Sequence, residues 1–92
     1  MITRARVEEV LEYLGLKDSS ILEELRSEGL FEEDWLEPDV AEELRVAASL
    51  IHDLGVNPAG VEVVLHMRRR MLALEDLTRR SLRQLIEELE GR

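Results

Sequence analysis

Ninety-two residues, 45% hydrophobic and 36% charged, make one small folded domain, because a second core would need roughly 50 more residues and a disordered chain would be less apolar. With one Phe, one Trp and one Tyr the core must be aliphatic, and with no cysteine there is no disulfide framework, zinc ribbon or thiol nucleophile. The formal net charge is −9 and no apolar run approaches the roughly 18 residues of a membrane span; the expectation is a cytoplasmic, mostly helical chain without a signal peptide.

The charge is unevenly placed. Residues 1–44 hold four basic groups (Arg4, Arg6, Lys17, Arg26) against fourteen acidic ones, whereas residues 45–92 hold eight against seven. The N-terminal half therefore presents a strongly anionic surface, with a run of carboxylates from Glu23 to Glu43 balanced only by Arg26.

In chain order, Val7, Val10, Leu11 and Leu14 form one face of a first helix, which Gly15 closes. A turn of about four residues, Leu16 to Ser19, leads to Ser20 and Glu23, spaced as a capping box ahead of Ile21, Leu22 and Leu25. This second helix stops at Gly29, with Leu30 and Phe31 turning back as buried residues. Two short helices across a tight turn make a helix-turn-helix candidate. Glu32 to Glu37 has no helical stripe and reads as a loop or a small hairpin-like wing, with Trp35 expected to plug it onto the core or else to stand exposed as an interface anchor. Pro38 opens a third helix whose buried face is Val40, Leu44, Ala47, Ile51 and Leu54, and Gly55 ends it. Asn57 and Pro58 restart the chain as N-cap and first-turn proline.

From Pro58 to about Leu89 nothing breaks the helical pattern. Some 32 residues would reach about 48 Å, beyond a globule only ~25–30 Å across. The apolar frame slips on the way: Met67, Met71 and Leu74 are one heptad-like run, Leu82, Leu85 and Leu89 another, with Thr78 and Ser81 between. Either the helix bends near Thr78 or a partner chain covers a shifting stripe. An uncovered stripe would leave a large apolar patch in water, so residues 71–89 are expected to build a homodimer, through Met71, Leu74, Leu82, Leu85, Ile86 and Leu89.

No catalytic constellation stands out. There is no Gly-rich phosphate loop, no Ser/His/Asp set, and no one carboxylate pair among the many that acid–base chemistry would single out. His52 and His66 lie on different helices without a ligand-spaced partner. No enzyme activity, cofactor or metal is expected. Arg68-Arg69-Arg70 and the cluster Arg79, Arg80, Arg83 could meet nucleic acid, but three consecutive helical positions span about 200° and present no single face. Pairing with Glu62, Glu75, Asp76 or a partner chain's acids is the plainer expectation.

The order of elements, together with the stretch Leu54-Gly55-Val56-Asn57-Pro58-Ala59-Gly60-Val61-Glu62-Val63-Val64-Leu65, resembles the MerR-type winged helix-turn-helix over Ile2 to about Leu89. The twelve-residue stretch looks like the one in chaperone-modulator (CbpM-like) proteins and in MerR-type heat-shock repressors. The resemblance implies an all-α or nearly all-α MerR-like winged helix-turn-helix with a long C-terminal helix. Residues 1–57 would be the acidic helix-turn-helix, wing and third helix, and 58–92 the long helix, within one domain. The DNA-binding branch carries a basic second helix and an Arg-x-Tyr wing; here those places read Glu23-Glu24-Leu25-Arg26-Ser27-Glu28 and Glu32-Glu33-Asp34-Trp35. Carboxylates there should repel a duplex at ordinary salt. Chaperone modulators, by resemblance, bind the J-domain of a DnaJ-type co-chaperone and block its work with a DnaK-type chaperone. That reading leads, with Glu23, Glu24, Glu28, Glu32, Glu33, Asp34, Glu42 and Glu43 as the partner-binding surface. The alternative is a transcriptional regulator that binds operator DNA as a dimer.

Overall fold

The computed structural model describes residues 3–16 and 20–91. It is mostly helical: β1 (Ala5–Arg6), α1 (Val7–Tyr13), α2 (Ser20–Ser27), β2 (Trp35–Leu36), α3 (Pro38–Leu54) and α4 (Pro58–Glu90). Lys17 to Ser19, which hold most of the expected turn between α1 and α2, lie outside the described residues.

Glycines end the first two helices in the same way. Gly15 and Gly29 sit at φ 76° and 78°, a left-handed conformation that glycine adopts without a Cβ penalty. At each, the following leucine reaches back five residues: the Leu16 amide donates to the Leu11 carbonyl and the Leu30 amide to that of Leu25, at 2.9 and 3.0 Å. All four leucines are thereby buried. Pro38 starts α3 at its first turn, and the Asn57 side chain accepts from the Gly60 amide at 2.7 Å to cap α4.

The core is aliphatic apart from Phe31. Val7 and Leu11 of α1, Leu22 and Leu25 of α2, Leu36 of β2, Leu44 and Ala47 of α3, and Val61 and Leu65 of α4 form one buried cluster. Leu54, expected on the buried face of α3, is instead 71% exposed. Leu54 lies in the last turn of α3, where Gly55 diverts the chain in a left-handed conformation.

The acidic stretch after α2 is not a free-standing hairpin. Its strand β2 pairs antiparallel with β1 at the start of the chain, Ala5 opposite Leu36 and Arg6 opposite Trp35, and the Val7 amide donates to the Asp34 carbonyl at 2.9 Å. Successive strand residues face opposite ways. Leu36 consequently points into the core, 2% exposed, and Trp35 points out, 46% exposed. Leu36, not Trp35, is the plug.

The fourth helix runs without interruption through Thr78 and Ser81 to Glu90. Only its first turns touch the body, and every described residue from Arg69 onward is exposed. The chain measures 59 × 33 × 21 Å with a radius of gyration of 17.2 Å, against about 12 Å for a compact domain of this length. No helix among the described residues is long and apolar enough to cross a membrane.

Candidate functional site

Two surfaces stand out: the acidic face of α2 with the loop behind it, and the bare length of α4. On the first, Leu22 and Leu25 turn inward while Glu23 and Glu24 on α2 and Glu28 in the turn after it stay exposed. This is the outcome of an amphipathic helix whose apolar residues lie three apart. Glu32, Glu33 and Asp34 continue the exposed acidic surface into the loop.

Arg26 holds that loop from within. Its Nε donates to the Phe31 carbonyl at 2.8 Å, and its Nη2 reaches the Glu33 carbonyl and Asp34 Oδ1, each at 3.4 Å. Phe31 needs the help. It is the one described non-glycine residue at positive φ, 54°, a conformation costing a bulky residue on the order of 1–3 kcal/mol. Burial of its ring and the Arg26 contact offset that strain. The single cation inside the acidic run thus serves the fold, and it leaves Glu23, Glu24, Glu28, Glu32 and Glu33 as acidic groups around it.

The two carboxylates of α3 differ from these. Glu42 is partly exposed and binds Arg45 one turn on, whose Nε lies 3.0 and 2.9 Å from its two oxygens. That hydrogen bond outweighs the opposing desolvation and, with smaller help from the charges of Arg45 and Arg68, holds the Glu42 carboxyl below its ordinary value of 4.5. Glu43 is buried, at 8% exposure, so it does not belong to the open acidic surface. Its Oε2 accepts from Arg69 Nε at 2.8 Å and Nη2 at 2.6 Å. The central arginine of the Arg68–Arg70 run therefore meets α3 rather than Glu62, Glu75 or Asp76. Arg80 does pair with Asp76, at 3.1 Å on the same helix.

A different chemistry marks the two-stranded pair. The guanidinium groups of Arg4 and Arg6 lie 5.2 and 5.4 Å from the centre of the Trp35 ring, within cation–π range. Sequence reasoning missed this cluster, because the pairing of β1 with β2 that brings Arg6 opposite Trp35 has no local signal in a two-residue strand. It also missed an apolar groove of about 350 Å³ between α1 and α3, floored by Val10, Leu14, Pro38 and Ala41.

On the second surface, Met71, Leu74, Leu82, Leu85, Ile86 and Leu89 are each between 51% and 63% exposed, as are Met67 and Leu77. No other element among the described residues covers them. Among the described residues no group of three His, Asp or Glu side chains is placed to hold a metal ion, and His52 and His66 are exposed on α3 and α4. No protein-family model, no curated protein and no solved structure matches this chain.

Proposed function

We propose that this protein is a non-enzymatic chaperone modulator with a MerR-like winged helix-turn-helix fold, working as a homodimer. It binds the J-domain of a DnaJ-type co-chaperone and keeps that domain from its DnaK-type chaperone. The observation that carries the reading is the acidic face: Glu23, Glu24, Glu28, Glu32 and Glu33 are exposed on one continuous stretch whose only cation, Arg26, bonds inward. A face of this kind suits a basic helix through electrostatic complementarity, which governs association rate and partner choice. The same face opposes a DNA backbone, whose binding depends on cationic neutralisation of phosphates.

The test is a binding assay of the purified protein against an isolated J-domain and against duplex DNA at the same salt. The expected result is binding to the J-domain, and no duplex binding tighter than the non-specific range of roughly 10⁻⁴–10⁻⁶ M. One observation favours the repressor reading: Arg4 and Arg6 place two cations beside an exposed aromatic on the wing. A sequence-specific gel shift at nanomolar protein would promote that reading and end the first.

A further inference from the structure

We infer that the outer face of the two-stranded pair is a docking site for a short segment of another protein, one that carries carboxylates, then an apolar side chain, then a basic one. The inference goes beyond the J-domain reading and does not rest on it. Arg4, Arg6 and Trp35 carry it, and none of the three belongs to the acidic surface assigned above.

The first observation is where these side chains stand. Arg6 is opposite Trp35 in the antiparallel register, and Arg4 lies two residues before Arg6. Residues two apart on a strand, and residues directly opposite, share a face. That face is turned away from Leu36 and the core, and all three residues are exposed. Among the described residues the ion pairs are those of Arg26, Arg45, Arg69 and Arg80, and neither Arg4 nor Arg6 meets a carboxylate. In a chain with 21 acidic side chains, these two cations rest on an indole ring instead. The contact uses the guanidinium charge and leaves its N–H donors open. Two planar forks are thus held beside one exposed aromatic, with less side-chain freedom to lose when carboxylates arrive.

The second observation is that Trp35 also walls an apolar cleft. Phe31, Leu36 and Val40 floor it, Glu33 and Glu37 rim it, and its volume is about 280 Å³. Neither arginine lines it. The volume falls just under the roughly 300–1,000 Å³ of small-molecule pockets and suits one inserted side chain. Trp35 therefore joins a cationic patch to an acid-rimmed apolar cleft. The complementary order on a partner is acid, apolar, base; the reverse order would set like charge on like.

The same arrangement opposes a nucleic-acid strand. Bases stack on aromatic rings, but phosphates repeat along the whole strand and a groove that binds them must follow with cations. Here Arg4 and Arg6 are the cations offered, and Glu33, Asp34 and Glu37 flank β2. A segment whose negative charge ends after one or two residues avoids that repulsion.

Trp35 is the sole tryptophan, so its fluorescence reads this site. The probe is a blocked synthetic peptide of two aspartates, a leucine and two lysines in that order, titrated into the full chain at low salt. The expected result is a saturable change in emission, with a midpoint that rises as salt is added. Arg4→Gln with Arg6→Gln should raise the midpoint about tenfold, as the loss of a charged hydrogen bond does, with the urea midpoint unchanged. Arg4→Lys with Arg6→Lys keeps the charge without the fork and should raise it less. Glu33→Gln with Glu37→Gln, away from β1, should weaken the peptide and strengthen an oligothymidylate. An emission that does not saturate at millimolar peptide, or a midpoint unmoved by Arg4→Gln with Arg6→Gln, would overturn the inference. So would tighter binding of an all-aspartate peptide or of the oligothymidylate, which would give the face to a plain polyanion. The J-domain reading fails or stands separately, because Glu24→Lys with Glu28→Lys should leave the peptide midpoint nearly unchanged.

Discussion

Glu43 and Arg69, 26 positions apart, bind one another across the junction of the third and fourth helices, with two arginine nitrogens on a single carboxylate oxygen. The carboxylate is buried and the guanidinium about half exposed, so the pair anchors the root of a helix that otherwise leaves the body. Arg69→Ala strands a buried acceptor. The expected loss is about 1–3 kcal/mol, at the low end because water reaches the arginine. Thermal unfolding checks it, at about 4–8 °C per kcal/mol for a domain this size. Arg80→Ala breaks only the exposed pair with Asp76 and should cost a few tenths of a kcal/mol. Glu43→Gln keeps an acceptor and should fall between the two.

Gly60 sits where the first turn of α4 folds over its own cap. A Cβ there would come 2.8 Å from Val56 Cγ1 and 3.2 Å from the Asn57 Oδ1 that accepts the Gly60 amide. Alanine gains about 1 kcal/mol of helix propensity over glycine. Overpacking against a half-buried valine costs about 1–3 kcal/mol, and the cap is disturbed as well. Gly60→Ala should therefore lower the urea midpoint. Asn57→Ala should cost about 1 kcal/mol and Asn57→Asp much less, since aspartate still caps.

The Glu42 carboxyl is held below its ordinary value chiefly by the hydrogen bond from Arg45. A carboxyl whose folded value is depressed contributes stability that is fully present above its unfolded value. That contribution is lost as the pH falls from about 4.5 through the folded value. Carboxyl NMR titration should show Glu42 low in the wild type and restored toward 4.5 in Arg45→Gln. Added salt should narrow the difference, because both side chains meet water.

Glu24 and Glu28 stand one turn apart on the exposed side of the second helix and its terminal turn. Lysine at both should leave the urea midpoint nearly unchanged and weaken J-domain binding, mainly through slower association. Wild-type affinity should fall as salt rises. If the double variant binds like the wild type, while Arg68→Glu and Arg69→Glu abolish binding, the interface is on the long helix. Arg69→Glu must then be scored against its own unfolding curve, because Arg69 supports the fold.

Where the chain stops and restarts was legible from single residues with one conformational meaning. Gly15, Gly29, Gly55, Pro38 and Asn57 all bound helices as their chemistry requires. The acidic face was legible too, because Leu22 and Leu25 fix which way Glu24 points. What sequence alone could not give were contacts between distant residues. Glu43 reads like Glu42 until α4 arrives with Arg69, and Trp35 reads as a core plug until β1 arrives to turn Leu36 inward. Leu54 satisfies the spacing of a buried face, but the periodicity says nothing of where the neighbouring element ends.

The long helix also has a thermodynamic consequence. From Leu72 to Glu90 it is held by its own backbone bonds and little else, and a segment of about that length is only marginally helical alone in water. If a second copy covers the stripe, as proposed, it would bind the ordered form and not the melted one, so association and local order would be linked by mass action. Amide protection along α4 should then grade downward from Arg69 in dilute protein and level out as the concentration rises. The helix would in effect report how much of the protein is present, lengthening with abundance and fraying back to its anchor when copies are few.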